Sequence, residues 1–395
     1  MSFGLHRNPP FRAEHLGSFL RPDYLLQAQE GLEQNPENRQ ALKSAEDKAI
    51  QAIVHAQLDI GFNSITDGRW GTFFQALQGF EVIERPGIDM FRPYMPDIAA
   101  YIEEGHGPAD SVICNGKIKH VGSAYTEQWD YLKSLLPLDK VRGAKLTLAA
   151  PEWYHMRYRE GKAYPTWVYA SDEEYFGDIA AAYQTELQTL YDHGLRNVQI
   201  DDPNLAYFCS EKMLAGWEED RSNVRSADET LDQYIRLYND CISKRPQDMH
   251  VGIHLCRRNI VKNRHFSEGI FDSMAKKLFQ DLDVNTYYLE YGTPRTGALA
   301  PLKYLPSNKN VILGIIAPKF PKTENPDQLT SGVFEAADMI AKGGGDNQEE
   351  ALDRIGVSPQ CGFTSHSGGN ALEMKDMLNK LKLVRRLADA IWTER

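Results

Sequence analysis

The sequence predicts an α/β fold, a (β/α)8 TIM barrel, and three observations carry that prediction. Eight short apolar runs alternate with longer stretches of helical periodicity along the 395 residues, the pattern of parallel strands joined by crossover helices. The reactive side chains sit at the carboxyl ends of those runs, the rim on which such barrels build their sites, whereas chance would scatter them over both ends and the outer surface. The length suits one large barrel with an insertion as well as two ordinary domains. Eight β/α units decide for the barrel, so residues 1–395 are read as a single domain.

The expected strands are 14–19, 63–67, 144–149, 197–201, 250–255, 285–290, 310–316 and 355–361. Helical patterns occupy 44–59, 175–193, 230–243, 268–281, 328–339 and 370–395. The last of these alternates Leu, Met and Val with lysines, which form a solvated face. One stretch breaks the rhythm. Residues 78–140 hold prolines, aromatics and a strand-like pair, 110–114 and 117–122, around Asn115-Gly116, a dipeptide that favours a hairpin turn. They read as an insertion after the second strand, suited to covering the barrel mouth or to a homo-oligomer contact. Gly343-Gly344-Gly345 lacks the spacing and the lysine of a phosphate-binding loop, so no nucleotide role follows.

Composition excludes several classes. With 42% hydrophobic and 25% charged residues the chain can bury a core and is not disordered. A formal charge of -11 and a pI near 5.5 argue against nucleic acid or an anionic membrane as principal partner. The first eleven residues have no apolar core of a secretory signal, and no run reaches the ~18 apolar residues of a membrane span. Cys114, Cys209, Cys241, Cys256 and Cys361 are too few and too scattered for a disulfide framework. A reducing cytoplasm is the natural setting.

His254-Leu255-Cys256 closes the fifth run. Residues i and i+2 of a strand share a face, so His254 and Cys256 can grip one metal from a single edge. Alone the pair is a weak signal, because buried cysteines mostly act as small apolar residues. Other runs strengthen it: the first ends in Gly17-Ser18, the second in Asp67-Gly68-Arg69, the fourth in Asp201-Asp202-Pro203, the sixth in Glu290 and the eighth in Cys361. His254, Cys256 and Cys361 supply one nitrogen and two thiolates, a donor set suited to Zn2+, with Glu290 as a fourth ligand able to yield its place to substrate.

From Gly17-Ser18 through Gln199-Ile200-Asp201-Asp202-Pro203 and His254-x-Cys256 to Ser358-Pro359-Gln360-Cys361-Gly362, the ordered series resembles the zinc-bearing C-terminal catalytic barrel of cobalamin-independent methionine synthase. The wider superfamily includes uroporphyrinogen decarboxylase and the epoxyalkane:coenzyme M transferases. The resemblance implies zinc on His254, Cys256, Glu290 and Cys361, and contacts from Ser18 and Asp201 to an amino acid substrate. It implies methyl transfer to homocysteine or a related small thiol, with zinc holding sulfur as thiolate. The amine leaving group of a methylated folate needs a proton, for which His15, Asp202 and His366 are candidates. Each has a plainer use: His15 as a loop hydrogen-bonding group, Asp202 as a helix cap near Asn204, His366 as an exposed loop residue.

Two departures concern the substrates. The chain has no room for the second, N-terminal barrel with which the resembled enzyme holds folate. At the end of the second run it reads Asp67-Gly68-Arg69 where that family has a glutamate for the amino group of homocysteine. Arg69 suits a carboxylate, sulfonate or phosphate, unless it pairs with Glu81 or Glu84; Asp67 or Asp201 remains for an amino group. Arg295 and Lys319 follow the sixth and seventh runs and resemble basic positions of short single-barrel relatives, where they would meet an anionic tail or merely neutralise carboxylates. Trp153 and Tyr154 offer a stacking surface for a pterin-like ring, or wall packing. The leading reading is a zinc-dependent thiol alkyltransferase with a small-molecule thiol and a methyl donor as partners. The alternatives are transfer of a non-methyl alkyl group such as an epoxide onto an anionic thiol, and a non-catalytic barrel with structural zinc.

Overall fold

The computed structural model describes residues 12–69, 73–103, 105, 110–255, 269, 271–291, 299–364 and 372–392. Two strands, β1 (Leu77–Ile83) and β2 (Ser111–His120), form an antiparallel ribbon. Six more form one parallel sheet in chain order: β3 (Lys145–Ala149), β4 (Asn197–Asp201), β5 (His250–Leu255), β6 (Thr286–Glu290), β7 (Asn310–Ile316) and β8 (Ile355–Pro359). The fold is an α/β TIM barrel in which these six are regular staves.

The first two expected strands are corrected. Residues 14–19 and 63–67 line the open edges of the sheet without forming ladders. Ala13 makes a single parallel bridge to Val357 on β8, and Lys145 N of β3 donates to Ile65 O at 2.9 Å. The reason is competition for backbone groups. Gln57 donates from its amide to Thr66 O at 2.8 Å and accepts from Thr66 N at 3.0 Å, occupying the pair that a neighbouring strand would use. Lys145 Nζ takes His15 O at 2.7 Å in the same way. Gly17 (φ 92°) and Gly68 (φ 76°) then bend each segment out of extended geometry.

A second correction concerns Asn115-Gly116, which does not turn a hairpin. Both residues lie inside β2, whose partner is β1. The register jumps from Gln78 opposite Lys119 to Phe80 opposite Cys114, so the dipeptide belongs to a bulge. Gly79 faces it at φ 97°, where a Cβ would come within 2.6 Å of Lys117 O.

Strand alternation sorts the side chains by face. Leu146, Leu148, Val198, Ile200, Val251, Ile253, Leu289, Val311, Leu313 and Val357 belong to the main hydrophobic core, where they meet the surrounding helices. The opposite, inward face is polar: Lys145, Thr147, Asn197, Gln199, His250 and Thr286 are all buried. Helices Arg39–Ile60, Asp172–Asp192, Ala227–Ile242, Asp272–Asp281, Pro326–Ala341 and Met374–Ile391 supply the outer layer. Their starts are locally encoded, by Ser171 as N-cap, by the Ser226/Glu229 capping box, and by Asn325 followed by Pro326. No helix among the described residues is long and apolar enough to cross a membrane.

Candidate active site

The parallel register aligns Asp201 with His254, and His254 with Tyr288, at the carboxyl end of the sheet. Partners in register point to the same side, so Asp201 and His254 both face inward above the polar barrel interior. His254 Nε2 stands 3.8 Å from Asp201 Oδ1, and Nδ1 lies 3.4 Å from Tyr288 O. Burial pulls the His254 pKa down, but a hydrogen bond with the Cys361 thiol and the Asp201 charge more than reverse this, leaving it raised. Cys361 is therefore a direct neighbour of His254, although one closes β5 and the other follows β8. Glu290, 3% exposed, ends β6, the strand paired with β5.

Two packing features bring Cys361 to that place. Gly314 lies opposite both Glu290 and Ser358, and a Cβ there would come within 2.9 Å of Gln360 Cα and of Leu289 O. Its missing side chain lets Gln360 donate across β7 to Tyr291 O at 2.9 Å. On the other flank Ser18 clasps the loop after β8. Its hydroxyl donates to Thr364 O at 2.7 Å and accepts from Thr364 N at 3.2 Å, while Ser18 O accepts from Phe363 N at 2.8 Å. A Cβ on Gly362 would collide with Ser18 Oγ. The Ser18 side chain thus anchors the cysteine loop.

The other candidates divide. Asp67 is buried and holds Arg69 twice, accepting from Arg69 N at 2.9 Å and from Arg69 Nε at 2.7 Å; neither Glu81 nor Glu84 is its partner. Asp202 follows Asp201 and turns to the outer side. Its Oδ1 accepts from Asn204 N and Leu205 N, at 2.7 and 3.0 Å, and its Oδ2 from Tyr238 OH at 2.6 Å, which is the capping arrangement. His15 is fully buried between Phe19 and Phe62; burial and the neighbouring Lys145 charge pull its pKa down to about 3. It is neutral at pH 7, so no imidazolium acid is present there. Trp153, in the 3-10 turn Pro151–Tyr154, carries the Arg157 guanidinium 4.1 Å above its ring, and Tyr154 is buried. Lys319 is buried at 4% exposure after β7. Cys256, Arg295 and His366 lie outside the described residues.

The donor types present suit zinc: a buried imidazole on β5, a buried carboxylate ending β6 and a buried thiol following β8. His254 Nε2 is buried and lies 3.8 Å from Asp201 Oδ1. Among the described residues no three His, Cys, Asp or Glu side chains converge at metal-binding distance. A residue that sequence reasoning passed over, Glu152, is also fully buried at this rim, accepting from Asn204 Nδ2 at 3.2 Å. Its signal was present, since Ala150-Pro151-Glu152 follows the third run.

Residues 169–388 match the family described as cobalamin-independent synthase, catalytic domain. The chain is 30% identical over 388 residues to the uncharacterized protein YxjG of Bacillus subtilis, covering 98% of this chain and 96% of that one. Over 220 residues, 55% of this chain and 24% of the other, it is 24% identical to the 5-methyltetrahydropteroyltriglutamate--homocysteine methyltransferase of Bacillus velezensis. Among solved structures it is similar to a putative vitamin-B12 independent methionine synthase from Listeria monocytogenes, with TM-score 0.71, 25% identity, and 98% and 99% of the two chains covered. A B12-independent methionine synthase from Shewanella sp. W3-18-1, solved in complex with selenomethionine, shares the fold at TM-score 0.64 and 16% identity, over 96% and 98% of the two chains. On the family match and the near full-length similarity, this chain belongs to the cobalamin-independent methionine synthase catalytic-domain family.

Proposed function

We propose that the protein is a zinc-dependent thiol methyltransferase whose acceptor is homocysteine or a related small thiol. The observation that carries this reading is the placement of Asp201 in register with His254, 3.8 Å from its imidazole, at the carboxyl end of the sheet where Cys361 neighbours the same ring. Bound zinc would supply a Lewis acid that keeps the acceptor sulfur deprotonated at neutral pH. His254, Cys361 and Glu290, with Cys256, would hold it. Asp201, partly exposed and facing the same space, would receive the amino group of the acceptor and fix its orientation. The proton for the leaving amine would not come from His15, which burial keeps neutral, nor from Asp202, whose oxygens are committed to the cap. His366 stays the candidate for that step. The relatives named as methionine synthases and homocysteine methyltransferases support the acceptor. The Asp67–Arg69 pair speaks against an anionic thiol, because the guanidinium charge is already met.

Zinc K-edge absorption, with metal content, before and after adding homocysteine tests the reading. Gain of one sulfur neighbour with loss of an oxygen or nitrogen is expected. A shell unchanged by every thiol would assign the zinc a structural role, and a protein that takes up no zinc would overturn the proposal. Cys361→Ser should lose most of the bound metal, since serine is a far poorer ligand, whereas Cys241→Ser, buried between helices, should keep it.

A further inference from the structure

Glu152 and Asp202 stand just beyond the ends of the neighbouring strands β3 and β4, and both are 0% exposed. Glu152 Oε1 accepts from Asn204 Nδ2 at 3.2 Å. Asn204 N in turn donates to Asp202 Oδ1 at 2.7 Å, and Asp202 also accepts from Leu205 N and from Tyr238 OH. A buried chain of hydrogen bonds thus runs from Glu152 through Asn204 to Asp202.

The pair has a mechanical consequence. Asp202 N donates to His254 O at 2.9 Å, extending the β4–β5 pairing one step past the end of β4. The residue on one side of that bond is Asp201, and the residue on the other is His254. We infer that Glu152 is a positioning residue: through Asp202 and Asn204 it locks the end of β4 onto β5, and so fixes the Asp201 carboxylate relative to the His254 imidazole. The inference rests on the proposed thiol transfer only for its kinetic readout.

The test compares Glu152→Leu with Glu152→Gln, an isostere whose carbonyl can still accept from Asn204 Nδ2. Three quantities are followed: amide hydrogen exchange across residues 201–205, zinc content, and KM and kcat with homocysteine. In Glu152→Leu the Asp202 amide should exchange about tenfold faster and KM should rise about tenfold with kcat little changed, the loss of one buried hydrogen bond acting on binding. Glu152→Gln should restore both. If Glu152→Leu does not fold, Tyr238→Phe, which removes one bond to Asp202 and keeps the ring, should show the same faster exchange. Wild-type exchange in every folded variant would overturn the inference and leave the function standing, as would Gln and Leu being equally impaired. A wild-type protein that binds neither zinc nor thiol would sink the proposed function, while the exchange comparison would still decide the role of Glu152.

Discussion

Lys145 Nζ lies 2.6 Å from Glu14 Oε2, and both side chains are completely buried inside the barrel. The same ammonium donates to His15 O and sits 4.5 Å from the centroid of the Tyr288 ring. It thereby ties the first stave to β3 and β6 where the backbone offers the first stave a single bridge. Burial pulls the Lys145 pKa down and pushes that of Glu14 up, and each is opposed by the partner's charge. Removing one member strands the other. Lys145→Met should cost about 3–5 kcal/mol in urea unfolding, and the double variant Glu14→Gln/Lys145→Met should recover most of it. A double variant as unstable as the single one would mean that the pair is not coupled.

His15 predicts the acid limb of the stability curve. Its folded pKa is lowered to about 3, while in the unfolded chain it returns to about 6.5. Between those values the unfolded chain binds a proton that the folded one refuses, so stability falls as pH falls below 6.5, by up to about 1.4 kcal/mol per pH unit. Between pH 7 and pH 5 this amounts to about 2 kcal/mol. His15→Gln should therefore lose about that much less over the same interval, read from urea midpoints at the two pH values. An unaltered acid slope would show that His15 takes up its proton within the fold.

These two residues also show what was legible in the sequence. The six regular strands fall within a few residues of expectation, because an apolar outer face against helices imposes a pattern that local composition records. The first two staves do not, because their backbone groups are taken by the side chains of Gln57 and Lys145, distant choices that no local pattern carries. Asn115-Gly116 favours a turn in isolation, and the pairing of β2 with β1 across Gly79 overrides it. At the site, the strand-end rule singled out His254 and Cys361 but could not say that they touch. The commitment of Ser18 to Thr364 was invisible for the same reason. For Asp202 the sequence offered both an acid and a helix cap, and its bonds to Asn204 N and Leu205 N are those of the cap.

The Asp67–Arg69 pair makes a prediction about the acceptor. Arg69 meets the charge of Asp67 across 2.7 Å, with its own side chain 28% exposed and that of Asp67 3%. Arg69→Met would leave the Asp67 charge free for a cationic amino group. Solvent screening at the partly exposed guanidinium holds the pair to about 1 kcal/mol, so KM for homocysteine should fall about threefold to fivefold and kcat should change little. Arg69→Glu should shift preference further away from anionic thiols. Steady-state kinetics with homocysteine and with a sulfonated thiol give the answer, and an unchanged ratio would confine the pair to holding its own loop.

Gly314 predicts a link between strand packing and metal affinity. A Cβ at this position would press within 2.9 Å of Gln360 Cα and Leu289 O and within 3.1 Å of Pro359 O, so Gly314→Ala must part β8 from β6. Backbone neighbours yield little, and overpacking of this kind costs about 1–3 kcal/mol. The displaced element carries Cys361 one residue beyond Gln360, and the strap from Gln360 to Tyr291 holds it near Glu290. Gly314→Ala should therefore lower zinc occupancy more than its loss of stability explains, seen as metal lost in competition with a chelator at a temperature where the variant remains fully folded. Gln360→Leu, which removes the strap without a clash, should weaken zinc in the same direction and by less. Full zinc retention in both would show that Cys361 holds its place without help from β6 and β7.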